Sequence, residues 1–97
     1  MTTEERITTA KKRIRRMLSV TVEGLTGEAP PDMIEFTGPE GSPPTLYCTM
    51  HCSRGVSRVV GHQGTTIQAL NRIVMSMSMG TCRLPMRLAL VDGKSRA

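Results

Sequence analysis

The sequence predicts a small α+β domain whose elements run helix, strand, strand, helix, turn, helix, strand. Three observations carry that prediction. A helix-periodic apolar stripe runs from Ile7 to Thr21, a strictly alternating run covers 45 to 52, and two glycines, Gly61 and Gly64, punctuate two helix-forming segments. The 97 residues suffice for one domain, which at this size buries about three-fifths of its unfolded surface. The expected unit is therefore 1–97, with a core over about 4–92 and a flexible tail at 93–97.

The first helix is expected from Glu4 to Glu23. Ile7, Ala10, Ile14, Met17, Leu18 and Thr21 recur at spacings of three and four and make one apolar face. Thr2 or Thr3 can cap it, and Glu4 and Glu5 suit the positive end of its dipole. Lys11, Lys12, Arg13, Arg15 and Arg16 lie on the other face, which reads as an ordinary solvated surface before it reads as a phosphate-attracting one. The β-branched Val20 and Val22 weaken the helix end, and Gly24 or Gly27 should stop it.

Pro30, Pro31, Pro39, Pro43 and Pro44 punctuate the next stretch and leave room for one short strand, Met33 to Thr37. Thr45 to Cys52 is the clearer strand. Its alternation sends Leu46, Cys48, Met50 and Cys52 to the core and Tyr47, Thr49 and His51 outward. Ser53 can cap a short helix that turns Val56, Val59 and Val60 inward and Arg54 and Arg58 outward; Gly55 inside it costs about 1 kcal/mol. A second helix is expected from Thr65 to Met79 with Gly80 as its stop, and Leu84 to Val91 should be the last strand. With Phe36 and Tyr47 the only aromatics and eight Met present, the core must be aliphatic and adaptable.

The stretch Val59-Val60-Gly61-His62-Gln63-Gly64-Thr65-Thr66-Ile67 carries the functional signal. Glycines lack a Cβ, so the chain can reverse there and a second backbone can come close. A helix capped by Thr65 or Thr66 would start with unpaired N–H groups aimed at that same corner, an anion site by construction. The pattern resembles the KH domain, whose signature is two branched apolar residues, Gly-x-x-Gly, then x-x-Ile on a helix. The element order is similar to the type II, bacterial-type KH arrangement, and most closely to small single-domain RNA-binding proteins of the KhpA kind.

That resemblance implies a KH-like α-β-β-α-α-β fold, with a three-stranded mixed sheet carrying three helices on one face. It also implies a groove that holds about four unpaired nucleotides. Gly61, His62, Gln63 and Gly64 would take the sugar-phosphate backbone, with Thr65 beside them at the helix start. Val59, Val60 and Ile67 would form the apolar floor under the bases. Family loops commonly place Lys or Arg between the glycines; here the pair is His62-Gln63, so Arg54, Arg58 and Arg72 would supply the charge. Members of the family also pair with themselves or with a second KH protein.

Charge agrees with a polyanionic partner: 13 Lys and Arg against 8 Asp and Glu give a net +5 and a pI near 9.7. No apolar run reaches the roughly 18 residues of a membrane span, and three cysteines without a signal segment fit reduced thiols in a cytoplasmic protein. Cys48 and Cys52 alternate away from His51, which argues against a metal site. His51 and His62 have no nucleophile beside them and no paired carboxylates flank the turn, so neither an enzyme nor a cofactor is expected. The expected function is non-enzymatic binding of single-stranded RNA. Two alternatives stand beside it: a KH scaffold used for protein interaction or dimerisation, with RNA binding weak or lost, and a helix-turn-helix DNA reader that places Thr65, Thr66, Gln68 and Arg72 in a major groove.

Overall fold

The first apolar stripe folds as one long helix, α1 (Thr3–Thr26), in a computed structural model that describes residues 1–27 and 29–93. Thr2 caps it: its Oγ1 accepts from the Glu5 amide at 3.2 Å, and its hydroxyl donates to Glu5 Oε1 at 3.1 Å. Ala10, Ile14, Leu18 and Val22 are fully buried at a strict four-residue spacing, and Thr26 extends the row. The helix therefore runs past the expected end at Glu23. Burial of Val22 outweighs its weak propensity, Gly24 stays within the helix on its exposed side, and Gly27, at φ 71°, forms the left-handed cap.

Strands β1 (Met33–Glu40) and β2 (Thr45–Cys52) pair antiparallel, and β3 (Met86–Asp92) pairs parallel with β2. The sheet is mixed, in the order β1-β2-β3. β1 outruns its expected end at Thr37 because pairing slips there and resumes with Glu40 opposite Thr45. Gly38 makes that bulge possible: its φ is 93°, and a Cβ would lie 2.7 Å from the Thr45 carbonyl oxygen. Pro85 sits just before β3 and offers its carbonyl to the Leu46 amide at 2.9 Å, so no ladder donor is lost and the strand starts at Met86 instead of Leu84.

Two helices complete the fold. α2 (Val56–Val60) is a little over one turn long and begins at Gly55, not at a Ser53 cap. Gly55 has φ 63° and packs so tightly on α1 that a Cβ would lie 2.6 Å from Thr26 Cγ2. α3 (Thr65–Cys82) passes the expected stop at Gly80 and ends at Arg83, φ 63°. Its last turn is held by burial of Cys82 and by the Ser78 hydroxyl, which donates to the Leu84 carbonyl at 2.6 Å. Together these offset the ~1 kcal/mol that Gly80 costs.

Residues from all three helices and from one face of all three strands form a single core cluster. Leu46, Cys48, Met50 and Cys52 lie in it as the alternation predicts, and the fold is α+β with a three-stranded mixed sheet. Cys48, Cys52 and Cys82 are free thiols in the interior. Burial pushes the Cys48 thiol up to about 12, with Arg15 opposing, and raises Cys52, with Asp32 and Asp92 adding to the effect.

The sheet's other face carries no helix among the described residues. Register aligns Met33, His51 and Val91 across it, then Glu35, Thr49 and Ala89, then Thr37, Tyr47 and Arg87. His51, expected to be open to solvent, is only 6% exposed. Its Nε2 lies 2.8 Å from Glu35 Oε1, near enough for a charge contact but out of line for a hydrogen bond. Among the described residues no three His, Cys, Asp or Glu side chains converge as a metal site would require, and no helix is long and apolar enough to cross a membrane.

Candidate functional site

The turn between α2 and α3 is built from one buried anchor and two glycines with different jobs. Val59 is fully buried and ties α2 to the core, so it cannot serve as the exposed apolar floor expected of it; Val60 and Ile67 are half-buried and remain available. Gly61 follows at φ 77° and ψ 177°, a conformation close to exclusive to glycine. A Cβ there would lie 2.7 Å from Thr66 Cβ and 2.9 Å from Thr66 N, so this glycine is required by the fold itself.

Gly64 also has φ 77°, but a Cβ would meet nothing nearer than Gln68 Nε2 at 3.8 Å and Ile67 Cγ2 at 4.0 Å. A side chain there would clash with nothing, and Gly64 is half-buried beside the tips of Gln68 and Ile67. Between the glycines, His62 to Gly64 make a single 3₁₀ turn in which Gln63 takes the left-handed conformation (φ 53°, ψ 31°). His62 and Gln63 are both exposed. A bulky residue held left-handed stores about 1 kcal/mol or more, and here it aims the Gln63 side chain outward at the tip of the corner.

The helix start differs from expectation. Neither Thr65 nor Thr66 caps α3; Gly64 holds the N-cap position and no side chain makes a capping hydrogen bond there. Several amides of the corner are already engaged: Gly61 N–H donates to Ser57 O at 2.9 Å, Gly64 N–H to Gly61 O at 3.2 Å, and Thr65 N–H to His62 O. Those amides stabilise the turn. What the corner presents outward is the bare side of Gly64 and the exposed side chains of His62, Gln63, Thr65 and Gln68, at the positive end of an 18-residue helix.

The arginines divide into two groups. Arg58 Nη1 donates to the Thr26 carbonyl at 3.0 Å and so closes the C-terminal end of α1. Arg15 Nη1 donates to the Ile34 carbonyl at 2.9 Å and its guanidinium lies 5.2 Å from the Phe36 ring centroid. Both are fold-building side chains, and the structure removes Arg58 from the cations left free around the turn. Arg54, Arg72 and Arg87 are exposed and, among the described residues, have no hydrogen-bond or ion-pair partner.

Arg72 and Arg87 meet across a groove of about 530 Å³ between α3 and the edge strand β3, with Asn71, Met75, Ser76 and Met79 as its other walls. Asn71 Oδ1 accepts from the Leu88 amide at 2.9 Å and so fastens α3 to the strand edge. Of this lining the sequence points to Arg72 as a cation near the turn and to Met75 and Met79, with Ser76 between them, as more thioether surface than one core face needs; it does not point to Asn71 or Arg87. Arg87 sits on an alternating strand whose edge position is settled by strand order, and strand order leaves no local mark on the chain. The groove begins about two helical turns, ~11 Å, along α3 from Gly64, with exposed Gln68 between them.

The chain matches no protein-family model and no curated protein.

Proposed function

We propose that this protein binds single-stranded RNA without catalysis, seating the sugar-phosphate chain on the Gly61–Gly64 corner and leading it into the α3–β3 groove. The observation that carries this reading is Gly64 itself, where a residue without a side chain, flanked only by the tips of Gln68 and Ile67, meets a helix start with no side-chain cap. A phosphate can approach a backbone there. Exposed Arg72 and Arg87 add fixed positive charge along the track, and Val60, Ile67, Met75 and Met79 supply the apolar surface that bases press against. The element order and the Val-Val-Gly-x-x-Gly-x-x-Ile pattern support a type II KH arrangement as the scaffold for it.

The test replaces His62 and Gln63 together with Asp and titrates an end-labelled, unstructured RNA by fluorescence anisotropy. Both side chains are exposed, so the variant should fold and lose about tenfold or more in affinity. If about three phosphates are neutralised, log affinity should fall against log salt with a slope of about 2. A folded double variant that binds as the wild type does would reject the corner as the site.

A second reading, a protein-interaction or dimerisation module, has its own support. Val20 is 66% exposed and Ile73 46% exposed, and Arg13, Arg16, Met17 and Met77 line a groove of about 410 Å³ between α1 and α3. A monomer by light scattering that binds RNA would remove it. A helix-turn-helix reading is weaker, since α2 has only 5 residues and two strands separate it from α1.

A further inference from the structure

The uncovered face of the sheet carries one aromatic side chain, and its position relative to the α3–β3 groove gives it a use. Tyr47 is 38% exposed on the central strand β2. Its ring has no cation above it and its hydroxyl no hydrogen-bond partner among the described residues. Its register partner on β3 is Arg87, the same residue that walls the groove on the helical side. Because β3 is the sheet edge, Arg87 stands where the groove ends and the open face begins.

We propose that a bound single strand longer than the groove turns round the β3 edge at Arg87 and stacks a base on Tyr47. This rests on the RNA reading above and extends it to a second, aromatic subsite. From Gly64 to Met75 the track along α3 is about 16 Å long at 1.5 Å per residue, a length suited to the roughly four nucleotides a glycine corner of this kind clamps. The next phosphate then falls beside Arg87, an unpartnered guanidinium, and the base that follows reaches the neighbouring strand. A phenol ring flanked by an arginine is the usual pairing for sequence-tolerant capture of unpaired bases: the ring takes the π-face and the cation takes the backbone. Thr37 and Thr49, the small neighbours of Tyr47 on this face, leave its flanks low enough for a base to lie flat.

The chain itself supplies the probe, since it has 1 Tyr and no Trp, so intrinsic emission reports on Tyr47 alone. Mixed-sequence unstructured RNAs of about four and about eight nucleotides are titrated against the wild type, Y47L and Y47F, with binding read by anisotropy of the labelled RNA and stacking by tyrosine emission. The longer RNA should quench the wild-type emission while the shorter one binds and leaves it bright. Y47L should lose about tenfold for the longer RNA, falling to the affinity of the shorter one, and Y47F should keep the wild-type preference. Binding of the longer RNA with unquenched emission, or equal affinity in a folded Y47L, overturns the subsite and leaves the corner reading intact. Failure of both RNAs to bind the wild type defeats the corner reading and the subsite with it. If Y47L fails to fold, the wild-type emission and Y47F decide.

Discussion

Gly61→Ala and Gly64→Ala should separate the scaffold of the turn from its outer side. At Gly64 the only penalty is conformational: φ 77° with the nearest neighbours at 3.8 and 4.0 Å costs an alanine about 1 kcal/mol. At Gly61 a similar φ combines with ψ 177°, a region that costs about 1–3 kcal/mol for any other residue. The new Cβ would also press on Thr66 Cβ at 2.7 Å and on Thr66 N at 2.9 Å. Because one of those atoms is backbone at the start of α3, it cannot swing aside, and overpacking adds about 1–3 kcal/mol. The sum, about 4 kcal/mol, is a large share of the roughly 5–15 kcal/mol expected for a domain of this size. With about 4–8 °C lost per kcal/mol, G64A should lower Tm by about 5 °C and G61A by about 20 °C, read by far-ultraviolet circular dichroism. G64A should also weaken RNA binding more than its small stability loss would suggest, since the methyl occupies the space the phosphate needs. Equal Tm losses for the two variants, or a G61A protein within about 1 kcal/mol of wild type, would refute this account of the corner.

Three further outcomes are expected. Ser78→Ala should cost about 1 kcal/mol in urea denaturation, because it strands a half-buried Leu84 carbonyl that the hydroxyl reaches at 2.6 Å, whereas Ser76→Ala on the exposed side should change almost nothing. Arg58→Met should remove about 1 kcal/mol and loosen amide exchange in the last turn of α1, where its guanidinium now holds the Thr26 carbonyl, while Arg72→Met, at an exposed residue that walls the groove, should be neutral to stability and weaken RNA binding. Stability should be full below the ordinary thiol value of 9.0 and fall as pH rises from there towards about 12, because the unfolded chain releases the Cys48 proton first. The urea midpoint should track that fall, and C48A should reduce it to the part that the raised Cys52 thiol contributes.

How far the chain can be read from its residues depends on which features are local. The order of elements, the α1 stripe through Leu18, the inward set Leu46, Cys48, Met50 and Cys52, and the glycine corner followed by a helix all follow from periodicity and from what a missing Cβ allows. Element ends were decided elsewhere. α1 runs on because Val22 and Thr26 find a place in the core, α3 passes Gly80 because Cys82 and Ser78 are buried, and β1 continues because Gly38 can bulge. In each case burial or a pairing partner far along the chain outweighed a propensity of about 1 kcal/mol.

The candidate site divides along the same line. Gly61, His62, Gln63 and Gly64 can be picked out in the sequence because their chemistry is a matter of neighbours along the chain. Three things could not be read there: that Val59 is sealed in the core, that Arg58 is bound to the end of α1, and that Arg87 rather than Arg58 faces the track. These follow from which strand lies at the sheet edge and which helix crosses it. An arginine in the sequence is only a charge on a long arm; whether that arm is free to meet a phosphate is settled by the carbonyl or the solvent that packing places at its end.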